Sequence, residues 1–430
     1  MKAMLGVVLN MGMHAKSDIK EYFSKKWTER MPFFVDVFSR ERFFQLYWML
    51  HLQQSVGQGF RGDKVHNLVT HMNAKCQEYY SPNEFISVDE STIGFKGRVI
   101  WKCYNPNKPT KWGLRVYTMC ESESAYIMAF VPYYGKFTTD GLVRPDLPFT
   151  SRIVLHLCNM LSSKGYGSGY HIFTDRFYTS LILCEELRKL SFHLTGTVMP
   201  SRKGMPNELS KKKRKRKVHE VIAFKKSDDT MALQWKDKRV VTMLSSVYNT
   251  QCENEERILG NQQSTTVAKP VVISRYTKYM GGVDKADHYC GSYAFLRKTA
   301  KWWRKMFFWL FEVAIVNSFI LYNIQRRGQG LKSVTHKKYR KNLVIQLVGK
   351  IRNKNSRKRG RNSDVESIER LSGRHFVAKI PNGRSKDCAV CSDRRVKRRE
   401  TVYQCETCER KPGLHPDKCF KKYHTEKHYR

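Results

Sequence analysis

Hydrophobic and polar residues along this chain change their spacing several times, and each change marks an element. Apolar β-formers run through Phe85-Ile86-Ser87-Val88 and end on a carboxylate, Asp89, before a polar turn. Lys111 to Cys120 and Ala125 to Tyr134 read as two more strands, joined by the turn Glu121-Ser122-Glu123-Ser124. Ile153, Val154, Leu157, Met160 and Leu161 then repeat at helical spacing, with Gly165 as the stop. A second short apolar run, Tyr170 to Phe173, again leads to an acid, Asp175. Thr179 or Ser180 caps the helix that follows, whose Leu183, Leu187 and Leu190 share a face. Val218 to Phe224, Met231 to Trp235 and Arg239 to Leu244 alternate as three short strands, with Lys236-Asp237 as a turn. Residues 1–84 read as mostly helical, with Phe43, Phe44, Tyr47, Trp48 and Leu50 in one cluster.

Met306 to Leu321 is the most apolar stretch, with Phe307, Leu310, Phe311, Ala314 and Ile315 on one face. It also carries Glu312, Asn317 and Ser318 and is shorter than the roughly 20 residues of a bilayer span, so a buried helix and no membrane partner are expected. Met4 to Met13 is short and apolar, but no small-residue cleavage site follows it.

The stretch that organises the chain is Tyr279-Met280-Gly281-Gly282-Val283-Asp284-Lys285-Ala286-Asp287. Asp284 and Asp287 are three apart and lie one above the other once the segment is helical, and the diglycine allows a sharp turn into that helix. The order is strand, strand, strand, helix, strand, helix. Acids end the first and fourth strands, and a third acidic site follows on a later helix. That is the layout of a ribonuclease H-like core in an α/β (α+β) protein. Its carboxylates suit hard divalent cations, which assist phosphodiester cleavage.

Asp89-Glu90-Ser91 with Phe95-Lys96-Gly97-Arg98, Lys111-Trp112-Gly113-Leu114, Thr174-Asp175-Arg176-Phe177-Tyr178 and Tyr279 to Asp284 closely resemble the piggyBac transposase family, from about Lys2 to the C-terminus. The resemblance implies that Asp89, Asp175, Asp284 and Asp287 are catalytic. Asp89, Asp175 and Asp284 would hold two Mg²⁺ ions, with Asp287 assisting. It implies strand cleavage and transfer at TTAA sites on double-stranded DNA by a homodimer. It also divides the chain. A helical dimerisation and DNA-binding domain spans 1–84 and 291–349, and the ribonuclease H-like core spans 85–200 and 269–290. A β-rich insertion with a basic run occupies 201–268, a basic linker 350–387 and a Cys/His zinc module 388–430. The family's long acidic N-terminal arm is missing here, so an N-terminally truncated chain is expected.

Charge sharpens the choice of partner. Lys and Arg number 79 against 38 Asp and Glu, a net charge of +41, which calls for a polyanion. Ser210-Lys211-Lys212-Lys213-Arg214-Lys215-Arg216-Lys217-Val218 reads as a nuclear localisation signal, a phosphate-contacting loop or a solvated loop. Trp302 and Trp303 sit among Lys298, Lys301 and Arg304, as on a surface that stacks an unpaired base, or else as core tryptophans. A Trp near this position supports the element's end in the resembling family, so Trp302 is the expected contact.

Seven of the 12 cysteines are scattered through residues 76 to 290, as suits reduced thiols of a nuclear or cytosolic protein. The other five cluster with histidines: Cys388, Cys391, Cys405, Cys408, His415, Cys419 and His424. Close pairs of thiolate and imidazole fit tetrahedral zinc. Two interleaved Zn²⁺ sites need an eighth ligand, for which His428 is the nearby candidate. Arg394, Arg395 and Arg398, between the Cys pairs, are expected to meet phosphate. The alternative is a domesticated, non-catalytic nuclear DNA-binding protein that keeps the fold and the zinc module. A general basic chromatin or RNA-binding protein is a third reading.

Overall fold

The computed structural model describes residues 1–52, 62–106, 108, 110–162, 169–210, 217–258, 264–295, 297–349, 370–393, 396–426 and 429. The expected helix stop at Gly165 and most of the basic run, 211–216, lie outside the described residues. The chain forms two units, Met1–Gly349 and Lys350–Arg430.

In the first unit α1 (Lys2–Met13), α2 (Pro32–Val37), α3 (Arg40–Trp48) and α4 (Asp63–Glu78) lead to β1 (Phe85–Gly94), β2 (Cys103–Tyr104), β3 (Trp112–Glu121) and β4 (Ile127–Pro132). Then come α5 (Lys136–Asp140), α6 (Phe149–Ser162), β5 (His171–Thr174), α7 (Leu181–Lys189) and β6 (His193–Thr197). The alternation seen in the sequence sets β1, β3 and β4, which pair antiparallel. Ser180 caps α7 by accepting the Leu183 N–H, and α7 is the crossover that lets β5 and β6 run parallel.

The three alternating strands after α8 (Asn207–Ser210) form as β7 (Val221–Lys225), β8 (Met231–Lys236) and β9 (Val240–Ser245). They do not make a separate sheet. β9 pairs antiparallel with β6, Thr195 opposite Ser245, so a nine-stranded sheet runs β2-β3-β1-β5-β6-β9-β8-β7, with β4 also on β3. Buried hydroxyls follow that seam, where Thr195 Oγ1 and Ser245 Oγ are 2.8 Å apart. A hairpin of β10 (Cys252–Ile258) and β11 (Ser264–Pro270), with no counterpart in the sequence reading, then delivers the chain to α9 (Val271–Tyr279) and α10 (Gly282–Ser292).

The apolar helix is longer than its apolar core suggested. α11 (Trp302–Gly328) has 27 residues and is long and apolar enough to cross a membrane, yet 56% of its most apolar window is buried in the fold. Its polar residues are partnered inside the protein. Asn317 bonds the Ile127 N–H and C=O at 3.0 and 2.9 Å, pinning α11 to β4 as a neighbouring strand would. Asn73 on α4 does the same at Phe130. Glu312 and Arg340, both within 4% of full burial, pair bidentately at 2.7 and 2.9 Å and tie α11 to α12 (His336–Val348). Arg340 also donates to the Tyr293 carbonyl at 3.0 Å, so the pair anchors the chain just past α10. α1 to α3 share one apolar core with Phe295, Phe308, Ile315, Val344 and Val348, and Gly6 lets α1 lie tightly on Val348 of α12.

Glu312→Ala strips a buried guanidinium of its counter-ion and is expected to cost about 3–5 kcal/mol in urea unfolding, whereas Glu312→Leu with Arg340→Met recovers most of it. A single mutant as stable as the parent would show that the pair does not fasten these helices.

Candidate functional site

The acid cluster is assembled by strand register. β1 and β5 are parallel neighbours with Val88 opposite Thr174, so Asp89, midway along β1, which continues to Gly94 instead of turning after the acid, emerges beside Asp175, just past the end of β5. α10 lies over β1 at the same place. A Cβ at Gly282 would run into Ser87 Oγ and stand 3.1 Å from Ser122 Cα. The diglycine therefore serves close packing: Gly281 sits at an ordinary φ of −75°, and Gly282 is needed because a strand passes beneath it. That seat puts Asp284 and Asp287, on one helix face, against the Ser87, Asp89 and Ser91 side of β1. Asp287 accepts a hydrogen bond from Ser91, and Ser91 is bonded to Thr118 of β3 at 3.2 Å.

The carboxylates feel one another. Burial, then the charges of Glu90 and Asp175, push Asp89 up to about 8, against the Glu90 N–H that donates to it at 2.8 Å. Burial also raises Asp175, with Glu90 adding to it and the Phe177 N–H at 2.9 Å opposing. Asp287 is pushed up to about 6 by burial, with the Ser91 hydroxyl and the Lys108 ammonium opposing and Asp284 and Glu90 adding. Tyr276 of α9 is raised to about 12 by burial, and Asp175, Asp89 and Asp284 all act on its phenol. Asp89 and Asp175 take adjacent register positions, and Asp284 and Asp287 follow one turn apart on the helix laid over β1; Asp284 is exposed, and among the described residues the four carboxylates do not close into one tight ligand group. Part-buried carboxylates whose charges oppose one another are hard oxygen donors of the kind divalent cations take.

Glu90, quoted in the sequence only as part of the Asp89-Glu90-Ser91 motif, stands next to Asp89 on β1. In the structure Tyr178 Oη donates to Glu90 Oε2 at 3.0 Å, and Lys108 Nζ lies 3.6 Å from Oε1 and 3.2 Å from the Glu90 carbonyl. Two consecutive acids inside one strand were the available signal.

The expected DNA contacts divide. Trp302 is core: it is 8% exposed and packs edge-on against Trp101, 5.4 Å between centroids, and against Tyr134. Arg304 is 1% exposed and donates to the Tyr47 and Trp48 carbonyls at 3.0 and 3.2 Å, capping the end of α3. A helix repeat turns two of three successive residues inward here, and local charge gave no hint of it. Lys298 and Lys301 are exposed. Lys298 lines a groove of about 890 Å³ with Lys96, Lys111, Trp112, Arg297 and Lys305, and among the described residues no Asp or Glu lines it. Beside it Tyr104 and Trp112, 51% and 42% exposed, lie with ring centres 4.5 Å apart and planes tilted by 39°, with Lys102 Nζ 4.7 Å from the Trp112 ring. These aromatics take the surface position expected of Trp302.

The second unit holds β12 (Val377–Lys379), β13 (Lys386–Asp387), β14 (Glu400–Thr401), β15 (Tyr403–Cys405) and α13 (Lys418–Thr425). The segment expected as linker, 350–387, thus contains β12 and β13; its residues 350–369 lie outside the described residues. β12 pairs with β15, Val377 opposite Cys405, and carries His375 to the second Cys pair. Two quartets result, His375, Cys405, Cys408, His424 and Cys388, Cys391, His415, Cys419, each with ligand atoms within 4.8 Å of one another. His375 thus supplies an eighth donor for the two quartets; His428, the candidate named from the sequence, lies outside the described residues. His375 was missed because the module was taken to begin at its first cysteine.

Sulfur-to-nitrogen distances are 3.5 Å for Cys391–His415 and 3.7 and 3.6 Å for Cys405 and Cys408 to His375. A tetrahedral zinc, with bonds of about 2.3 Å to sulfur and about 2.05 Å to nitrogen, sets that edge at about 3.6 Å. Backbone carbonyls fix the imidazoles: Glu400 bonds His415 Nε2 at 3.1 Å, Ser372 bonds His375 Nε2 at 3.1 Å, and Arg370 bonds His424 Nδ1 at 2.9 Å. His424 Nε2 is left buried and without a partner, as a ligand nitrogen would be. Arg398 is ion-paired to Asp387 at 2.7 Å and to Glu400, while Arg394 and Arg395 lie outside the described residues.

The Transposase IS4 family model matches residues 1–319, and the DDE_Tnp_1-like zinc finger model matches residues 370–425. PiggyBac transposable element-derived protein 3 of Homo sapiens is 25% identical over 398 residues, 90% of this chain and 63% of that protein. PiggyBac transposable element-derived protein 2 of Homo sapiens is 25% identical over 402 residues, 91% and 66% respectively. The chain thus spans about two thirds or less of these relatives. The cryo-EM structure of a piggyBac transposase synaptic complex with hairpin DNA superposes with a TM-score of 0.70 at 23% identity, over 96% of this chain and 85% of that one, and shares its fold. A paired Cys/His module and a family match over about three quarters of its length place this chain in the piggyBac-type transposase family.

Proposed function

We propose that this chain is a metal-dependent enzyme that cleaves and transfers DNA strands at TTAA sites, working in the nucleus as a homodimer on double-stranded DNA. The observation that supports the reading is the register that sets Asp89 beside Asp175, with the helix of Asp284 and Asp287 seated over the same strand, so that charges act on one another which a cation would relieve. Asp89, Asp175 and Asp284 are the residues to hold two Mg²⁺, and Asp287, oriented by Ser91 and Thr118, assists. The bound ions supply activation of the attacking oxygen and stabilisation of the leaving one. Lys108 offsets the Glu90 charge beside them. The acid-free groove takes backbone phosphates, and Tyr104 and Trp112 offer a ring face to an unpaired base. The cysteine quartets each take one Zn²⁺, and the module recognises the element's end. The basic run at 210–218 serves nuclear import.

The relatives' description as transposable element-derived favours a second reading, a DNA-binding protein that no longer cuts. A Mg²⁺-dependent nicking assay on a TTAA-flanked duplex separates the two.

In that assay Asp89→Asn is expected to reduce nicking by at least about a hundredfold, with DNA affinity within about twofold of the parent. Full nicking by the mutant would refute the assignment. Because Asp89 is held protonated to about pH 8 without metal, its ionisation costs folded-state stability as pH rises toward 8. Mg²⁺ competes with that proton, so the thermal stabilisation by Mg²⁺ should be small near pH 5, grow toward pH 8, and shrink in Asp89→Asn. For the second unit, metal analysis should find two Zn²⁺ per chain, about one in Cys405→Ser or His375→Ala, and two in His428→Ala. Loss of zinc in the His428 variant with retention in the His375 variant would overturn the ligand assignment.

A further inference from the structure

Lys305 occupies a position that the acid cluster and the groove, taken singly, leave unexplained. It lines the groove of about 890 Å³ and also a second cavity of about 450 Å³, whose wall includes Asp287, Cys290 and Glu312, the last already paired with Arg340. The two cavities have Gly94, Thr110 and Lys305 in common, so at a neck formed by these residues the cationic groove adjoins the cavity that Asp287 lines. Gly94 and Thr110 bring no charge, which leaves Lys305 as the ionic group at the junction.

Its surroundings do not stabilise it. Lys305 is half-buried, and among the described residues no hydrogen bond or ion pair reaches its ammonium. Burial alone lowers its pKa, with no carboxylate opposing. It stands in the first turn of the 27-residue α11, where the helix presents its positive end and a cation is unfavourable. By contrast, Arg297 in the same groove is held by the Lys16 and Ser17 carbonyls and by Tyr22 Oη. A half-buried cation without counter-ion, at the mouth of an acid site, is a feature kept at the expense of stability, and an anion entering the neck satisfies it.

We propose that Lys305 is a positioning residue: its ammonium holds the phosphate adjoining the one presented to the aspartates and so sets where along the strand the cut falls. This rests on the DNA-cleaving reading. A strand lying in the groove reaches the acids through the neck, and a phosphate fixed at Lys305 leaves its neighbour at the carboxylates without letting the chain slide.

The test compares full-length parent, Lys305→Met and Lys305→Arg on an end-labelled TTAA-flanked duplex. For Lys305→Met, single-turnover nicking is expected to fall about tenfold and the cut to spread over adjacent positions. The slope of log affinity against log salt should lose about 0.9, one phosphate contact. The melting temperature should hold or rise, because the unpaired buried charge is gone, and Lys305→Arg should restore a single cut position. If the parent nicks and Lys305→Met matches it in cut position, rate and salt slope, the assignment to Lys305 fails while the enzyme reading stands. If Lys305→Met melts lower and Lys305→Arg does not rescue cutting, the lysine is structural and the proposal fails. A parent that neither binds nor nicks DNA sinks both.

Discussion

Gly282 has no side chain, and α10 can therefore lie on β1 at a distance that any other residue would forbid. The strand pair supplies two carboxylates through register alone; the helix supplies two more only if it sits that low. With the seat in place, Ser91 reaches Asp287, and Tyr276 sits within the fields of three acids. The cost is electrostatic. Asp89, Asp175 and Asp287 stand where burial already disfavours charge, with Glu90 adding to each, in a chain whose net charge is +41. Negative charge is concentrated at one strand end, while the groove that leads to it carries lysines and no acid. A polyanion is thereby drawn to a place that its own charge would otherwise avoid, and cations at the acids are what make the two compatible.

The acids were legible in the sequence because strands and helices announce themselves by period, and a carboxylate at the end of an apolar run stands out against it. The strand alternation of 221–245 was equally readable, but its pairing partner was not. Whether β9 joins β6 or closes a sheet of its own depends on contacts between residues some 50 apart, and period carries no information about them. The β10–β11 hairpin was missed for a different reason. Cys252-Glu253-Asn254-Glu255-Glu256 is polar on both faces, so no alternation marks it.

Trp302 and Arg304 illustrate the limit of reading chemistry from neighbours. Cations around tryptophan describe a DNA surface and a helix entering its core equally well, and what decides is the phase of α11, fixed by packing far along its length. His375 was invisible for a topological reason: it lies 30 residues before the cysteine it approaches, and only the pairing of β12 with β15 brings it there.

The tight packing of α1 on α12 also has a consequence for biogenesis. α1 meets α12 only after more than three hundred further residues have been made, so the side that packs on Val344 and Val348 waits uncovered long after α2 and α3 have reached the rest of its face. Contacts of such long range slow the search for the native state and lengthen the interval in which sticky surface is open to solvent. A nascent chain of this design depends on holdase chaperones more than its final stability would suggest.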